Sequence, residues 1–289
     1  MSHRPGRLVD IGDTSLFVVE VGGSFGHPIL IFHGGPGEDH HEFGDYLDPL
    51  ANRGYRLILA DLRAQGHSEK APVETWTLAK MAEDVGSLGR ALGLDRYAAL
   101  GHSYGSFVVL QHAVDFPGEA AQTIVSSGIP SARFLADVQR NLDAFEPLEL
   151  RALVADSWAR ETTIQTAEEF DRLSRDQLPF HFADSLDPRI EEYERRTAGA
   201  VRSPEVLRHF AAQEYGGIDV EGRLGEIIEP VLVLAGRHDR VCSVEAAEAM
   251  AKGISDAELV VFGDSGHMTF VEQNDEYLDA VDDFLRRNR

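Results

Sequence analysis

Short apolar runs alternate with stretches of helical period through the first 130 residues. Runs rich in Val, Ile, Leu, Ala and Tyr occupy positions 16–21, 29–33, 55–61, 97–102 and 123–127, lengths that suit strands and are too short for helices. Between them, helical patterns run near 41–52, over 78–92 with a stop at Gly93, and from Tyr104 to about Phe116 with a stop at Pro117. Strands separated by helices cannot pair as hairpins, so this order predicts an α/β fold with a mostly parallel sheet covered on both faces. Gly22, Gly23, Ser24, Phe25 and Gly26 form a turn between the first two runs.

From 131 to 225 the strand runs vanish and amphipathic helices follow one another, separated by Pro, Gly and Thr. Thr166 with Glu169 makes a capping-box pattern, and Ser203 before Pro204 is a helix-start signal. After 226 the alternation resumes, with a strand at 231–235, a helix at 244–252, a strand at 259–262 and a closing helix at 275–287. The arrangement expected is a core of residues 1–130 and 226–289 interrupted by a helical cap domain, 131–225.

Composition narrows the function. The 289 residues carry 27 basic and 49 acidic side chains, a formal net charge of −22 that repels nucleic acid and anionic membrane surfaces. Cys242 is the single cysteine, so no intrachain disulfide forms and no thiolate zinc cluster can be built, which suits a reducing compartment. The stretch 1–10 has no apolar run of signal-peptide length, and no run is long enough to span a bilayer. A soluble cytoplasmic protein is expected, acting on a small molecule or short peptide, with no nucleic-acid or membrane partner.

The chemistry centres on Gly101-His102-Ser103-Tyr104-Gly105, a G-x-S-x-G placed directly after a strand and before a helix. That context makes it a nucleophile-elbow candidate, because small flanking residues let the chain turn sharply enough to expose the serine hydroxyl. A second match, Gly22 to Gly26, has no helix behind it and reads as a plain turn. A serine hydroxyl needs a base to take its proton and a carboxylate to orient that base. In this fold order the acid and the histidine follow later strands. Asp239 follows the 231–235 run, and His267 follows the 259–262 run. The loop Ser127-Gly128-Ile129-Pro130 offers no competing carboxylate. His102 reads as a structural neighbour, and His238 as exposed.

Backbone N–H groups fixed in advance stabilise an oxyanion best. The 29–33 run leads into Gly34-Gly35-Pro36-Gly37, so the N–H groups of Gly35 and of Tyr104 are the expected donors. The nearby Glu38, Asp39, His40, His41 and Glu42, with His33, contain no H-E-x-x-H, and adjacent His40 and His41 do not share a helix face. The expectation there is a solvated acidic loop, with no metal and no cofactor.

These motifs resemble the α/β-hydrolase superfamily and, within it, the proline iminopeptidase family. The resemblance rests on His33-Gly34-Gly35-Pro36-Gly37, Asp61-Leu62-Arg63-Ala64-Gln65-Gly66-His67-Ser68, the elbow at 101–106, Gly236-Arg237-His238-Asp239 and Ser265-Gly266-His267. It implies a metal-independent serine peptidase that removes an N-terminal residue, often proline, with cap carboxylates holding the free amine. Glu191, Glu192, Glu194 and Glu214 are the acids considered for that role. Two positions depart from the family pattern: Arg240 stands where some members have glutamate, and Ala64 where glycine is usual. Arg240 would instead attract a substrate carboxylate, so an esterase, lactonase or amidase is the alternative, and a non-catalytic binding protein on the same scaffold is the third reading.

Overall fold

The computed structural model describes residues 5–289; the first four residues of the polar N-terminal stretch lie outside the described residues. Strands β1 (Gly6–Asp10), β2 (Ser15–Val21), β3 (His27–Phe32), β4 (Tyr55–Ala60), β5 (Ala98–His102), β6 (Gln122–Ser126), β7 (Val231–Gly236) and β8 (Ala257–Phe262) form one sheet. Their order is β1-β2-β4-β3-β5-β6-β7-β8. The pairs β1/β2 and β2/β4 are antiparallel, and every later pair is parallel.

Burial on both faces explains why the central strands read as unbroken apolar runs. Along β3, Leu30 and Phe32 face the apolar cluster that also takes in the helices Leu78–Ala91, Tyr104–Asp115 and Val244–Gly253. Ile29 and Ile31 face the other way, toward the closing helix Asn274–Arg287. The period-2 alternation of strand side chains thus feeds two separate cores.

Two local expectations fail for identifiable reasons. β1 escaped the sequence reading because it is a five-residue edge strand in which only Val9 is buried. The helix expected near 41–52 breaks into a short 3₁₀ turn, His40–Phe43, and a single turn, Pro49–Asn52. Gly44 ends the first at φ 49, a conformation that does not continue a helix.

Between β6 and β7 lie the helices Ala136–Asp143, Leu148–Arg160, Ala167–His181, Arg189–Arg196 and Pro204–Ala211, with no strand among the described residues. They bury small cores of their own, one around Phe145 and Phe180, another around Phe170 and Leu207. The Thr166–Glu169 capping box forms as expected. Pro204 opens its helix, but Ser203 makes no side-chain cap. Among the described residues no helix is long and apolar enough to cross a membrane.

A buried ion pair anchors the loop after β4. The Arg63 Nε donates to Asp84 at 2.8 Å and its Nη2 at 2.6 Å, with Asp13 accepting at 2.9 Å. Ala64 follows at φ 63, the left-handed conformation that glycine adopts more cheaply.

Candidate active site

β5 delivers Ser103 directly into the helix Tyr104–Asp115, with the serine at φ 50 and ψ −118. Such a conformation costs a non-glycine residue about 1–3 kcal/mol and persists only where the surroundings enforce it. Here the Ser103 N–H donates to the Ser126 carbonyl at 2.9 Å. The flanking glycines are a steric necessity. A Cβ at Gly101 would fall 2.1 Å from the Gly105 carbonyl oxygen, and one at Gly105 would fall 2.2 Å from that of Phe32. Although Ser103 occupies the N-cap position, its side chain makes no capping bond, and Ser103 lines the cavity above it.

His267 lines the same cavity. Its Nδ1 lies 2.9 Å from Asp239 Oδ2. Asp239 is aimed by two backbone donors, the N–H of Val241 at 2.8 Å and of Cys242 at 2.9 Å, both onto Oδ1. The histidine backbone is held as firmly: its N–H donates to the His181 carbonyl at 2.6 Å, and its carbonyl accepts from Ser127 Oγ at 2.8 Å. Glu272 joins the same loop to the end of the helix Ala167–His181, accepting from Gly266 N–H and Ala183 N–H, each at 2.8 Å.

Electrostatics separates the three histidines here. Burial works to lower the His267 imidazole, but the Asp239 carboxylate, together with Glu42 and Glu272, outweighs it and leaves the group above its ordinary value. His102 and His181, with ring centroids 5.0 and 5.1 Å from His267, are pushed well down by burial and then by the charge His267 carries when protonated. Their charged forms are disfavoured, whereas that of His267 is favoured.

The glycine loop is pinned on both sides of Gly35. The Gly34 N–H donates to Glu42 Oε2, and the Gly37 N–H to Gln65 Oε1 at 2.6 Å. Gly35 sits between them at φ 42. Gly35 and Tyr104 both line the cavity with Ser103 and His267. Tyr104 is the first residue of its helix, where the N–H has no partner in its own helix.

The cavity holds about 580 Å³. Arg202, on its wall, pairs with Glu38 and Asp171. Glu42 and Glu161 are buried wall carboxyls with no Lys or Arg partner among the described residues, and burial pushes each up to about 7. Glu161 accepts instead from Gln177 Nε2 at 2.8 Å and from the Tyr215 hydroxyl. Tyr215 reaches it from a left-handed backbone, φ 53.

Of the acids considered from sequence for amine binding, Glu194 is half-buried and lines the cavity, whereas Glu191 and Glu214 are exposed and do not. Arg240 does not line it either. Its guanidinium donates to the carbonyls of Phe180 at 3.2 Å, Phe182 at 2.5 Å and Ala183 at 2.9 Å. The expected substrate-facing arginine is therefore corrected to a clasp between the Asp239 loop and residues 180–183. The acidic loop is corrected too: Asp39, His40 and Glu42 are buried rather than solvated. His102 is a buried neighbour and His238 is exposed, both as expected. Glu161 and Glu272 went unnoticed because nothing local in sequence distinguishes them from the many other acids.

This combination of sheet order, elbow and loop-borne histidine defines a class, and comparison agrees. The chain belongs to the α/β-hydrolase fold family, which matches residues 27–273. A proline iminopeptidase of Clostridium botulinum is 28% identical over 269 residues, spanning 90% of each chain. Among solved structures, an α/β-fold hydrolase from Bacillus anthracis superposes with a TM-score of 0.80 at 20% identity, covering 97% of this chain and 99% of that one. An esterase from Exiguobacterium antarcticum gives 0.76 at 22% identity, covering 98% of this chain and all of the other.

Proposed function

We propose that Ser103, His267 and Asp239 act as nucleophile, base and orienting acid of a serine hydrolase, most like a proline iminopeptidase that releases an N-terminal residue from short peptides. Residues 131–225 act as a cap domain over the core. His267 takes the Ser103 proton as the hydroxyl attacks the scissile carbonyl. The N–H groups of Gly35 and Tyr104 stabilise the oxyanion, and His267 then protonates the leaving amine. Water, activated by the same imidazole, releases the acyl group. Asp239 holds the ring with Nε2 free to accept. The lone, buried Cys242 suits action in the cytoplasm.

The observation that supports an aminopeptidase over other hydrolases is the pair of wall carboxyls, Glu42 and Glu161, buried without a cation. Burial disfavours the charged form of such groups, and a substrate ammonium supplies the counter-charge that restores it. A second reading, an esterase or amidase, draws on the apolar side chains of Phe107, Leu142, Trp158 and Leu178 in the same wall.

A paired assay separates them: a prolyl arylamide, its N-acylated counterpart and p-nitrophenyl acetate, with Ser103→Ala as control. The proposal expects cleavage of the free-amine substrate only, and a Glu161→Gln variant whose KM for it rises about 10–100-fold, from loss of one charged hydrogen bond. Ester cleavage without arylamide cleavage selects the second reading. Residual turnover by Ser103→Ala removes the triad assignment.

A further inference from the structure

Away from the Ser103 cavity, the loop after β3 and the loop after β4 bring two aspartates and three histidines together. Asp39 and Asp61 are fully buried. Neither carboxylate has a Lys or Arg partner among the described residues; their side-chain partners are imidazoles. His40 Nδ1 lies 2.7 Å from Asp61 Oδ1, and His41 Nδ1 lies 2.9 Å from Asp39 Oδ2. Two carboxyls thus share this buried corner with no permanent cation beside them among the described residues. Buried charges are ordinarily paired or bound to a metal.

His67 completes the group. Its Nδ1 faces Asp61 Oδ2 at 3.5 Å and Asp39 Oδ2 at 3.9 Å. These separations are too long for good hydrogen bonds, and they are near the roughly 3.4 Å between two ligands placed about 2.1 Å from one tetrahedral ion. One ligand atom from each of Asp39, His40, Asp61 and His67 lies within 4.8 Å of the others. The arrangement is also held in place. The His67 N–H donates to Asp61 Oδ2 at 2.8 Å, and the Phe17 ring stacks on the imidazole at 4.7 Å. His67 is 41% exposed, which gives an ion an entry path.

We propose that Asp39 Oδ2, Asp61 Oδ2 and His67 Nδ1 bind one divalent transition-metal ion of the zinc type, with water as the fourth ligand. The imidazole with two carboxylates suits such an ion. His40 keeps its hydrogen bond to Asp61 Oδ1 and orients that carboxylate from outside. Asp39 Oδ2 already accepts from the Val201 N–H at 2.9 Å and from His41, so the ion displaces the His41 contact, and that half-buried ring turns toward solvent. The Val201 contact is what gives the site a purpose. Val201 immediately precedes Arg202 on the cavity wall, so an ion on Asp39 ties the segment between the helices Arg189–Arg196 and Pro204–Ala211 to the core. The inference stands apart from the hydrolase reading, because the ion touches neither Ser103 nor His267.

The test uses the full, untagged chain stripped with EDTA and titrated with Zn²⁺ by calorimetry, and with Co²⁺ by visible absorption. The expected result is saturable uptake of one ion, a tetrahedral cobalt band, and a thermal midpoint raised by about 5 °C at a hundredfold excess over Kd. His67→Gln, checked for a cooperative unfolding transition, is expected to lose all three. If the variant fails to fold, Asp39→Asn in the same titration decides. Absence of saturable binding, or uptake unchanged in the variants, overturns the proposal. So does uptake that survives in His67→Gln but disappears in Cys242→Ser, because that places the ion at the Asp239–Cys242–His267 group.

Discussion

Replacing Arg240 by alanine distinguishes a substrate anchor from a structural clasp. The guanidinium gives three hydrogen bonds to main-chain carbonyls, those of Phe180, Phe182 and Ala183, and is partly buried against the Phe145 ring, 5.0 Å from its centroid. A charge-assisted hydrogen bond contributes about 1.5–3 kcal/mol net when well buried. Discounting for partial exposure and for the long 3.2 Å contact gives a loss of about 2–4 kcal/mol for the three together. For a chain of this length that lowers the thermal midpoint by roughly 3–7 °C. Activity falls as well, because residues 180–183 include His181, whose carbonyl holds the His267 backbone. The fall appears mainly in kcat and equally for substrates with and without a carboxylate. Arg240→Lys recovers only part of the stability, since an ammonium cannot span three carbonyls as a planar guanidinium does. The assays are calorimetric unfolding and steady-state kinetics on a matched pair of neutral and carboxylate-bearing substrates. An unchanged midpoint, with KM rising only for the carboxylate-bearing member, refutes the clasp and restores the substrate anchor.

Three further outcomes follow from the geometry. In the proposed mechanism His267 must be neutral to accept the Ser103 proton, and the folded His267 lies above its ordinary 6.5, so kcat/KM drops on the acid side as pH falls through that raised value; Asp239→Asn should shift this limb to lower pH and cut kcat by roughly 10⁴-fold, and a limb that stays put removes Asp239 as the partner. Gly105→Ala places a Cβ 2.2 Å from the rigid Phe32 carbonyl, so it should fail to give a cooperatively folding protein where an exposed glycine such as Gly23 tolerates alanine; an undiminished unfolding midpoint contradicts the packing argument. Asp84→Ala strands the fully buried Arg63 with only the half-exposed Asp13 as partner and should cost about 3–5 kcal/mol in denaturant unfolding, a loss under 1 kcal/mol being incompatible with a buried pair.

The parts legible in sequence were those with local signatures. Seven of the eight strands carry apolar runs, the five central ones because burial on both faces demands them, and the elbow shows itself because only glycine fits where β5 meets its helix. β1 stayed hidden because an edge strand with one buried residue leaves almost no pattern. The acidic loop at 38–42 misled for the opposite reason. Charge in a loop normally means solvent, but here Asp61, a buried aspartate 21 residues beyond His40, draws that histidine inward by accepting from both its N–H and its ring. Among the acids of 131–225, Glu191 and Glu214 misled in the same way, whereas Glu194 lines the cavity. Which of many glutamates turns inward depends on contacts such as Tyr215 to Glu161 across 54 residues, and no periodicity encodes them.

Glu272 has a practical consequence for anyone recombining this enzyme with its relatives. One carboxyl receives the N–H of Ala183 at the inserted segment's side and the N–H of Gly266 beside the histidine at the other. A segment transplanted from another hydrolase would arrive with a different backbone path at residue 183 and leave that carboxyl half-satisfied next to His267. Chimeras built by exchanging 131–225 alone should therefore inherit a disturbed histidine loop, and designs that carry the 263–273 loop together with the insert should be the ones that keep turnover.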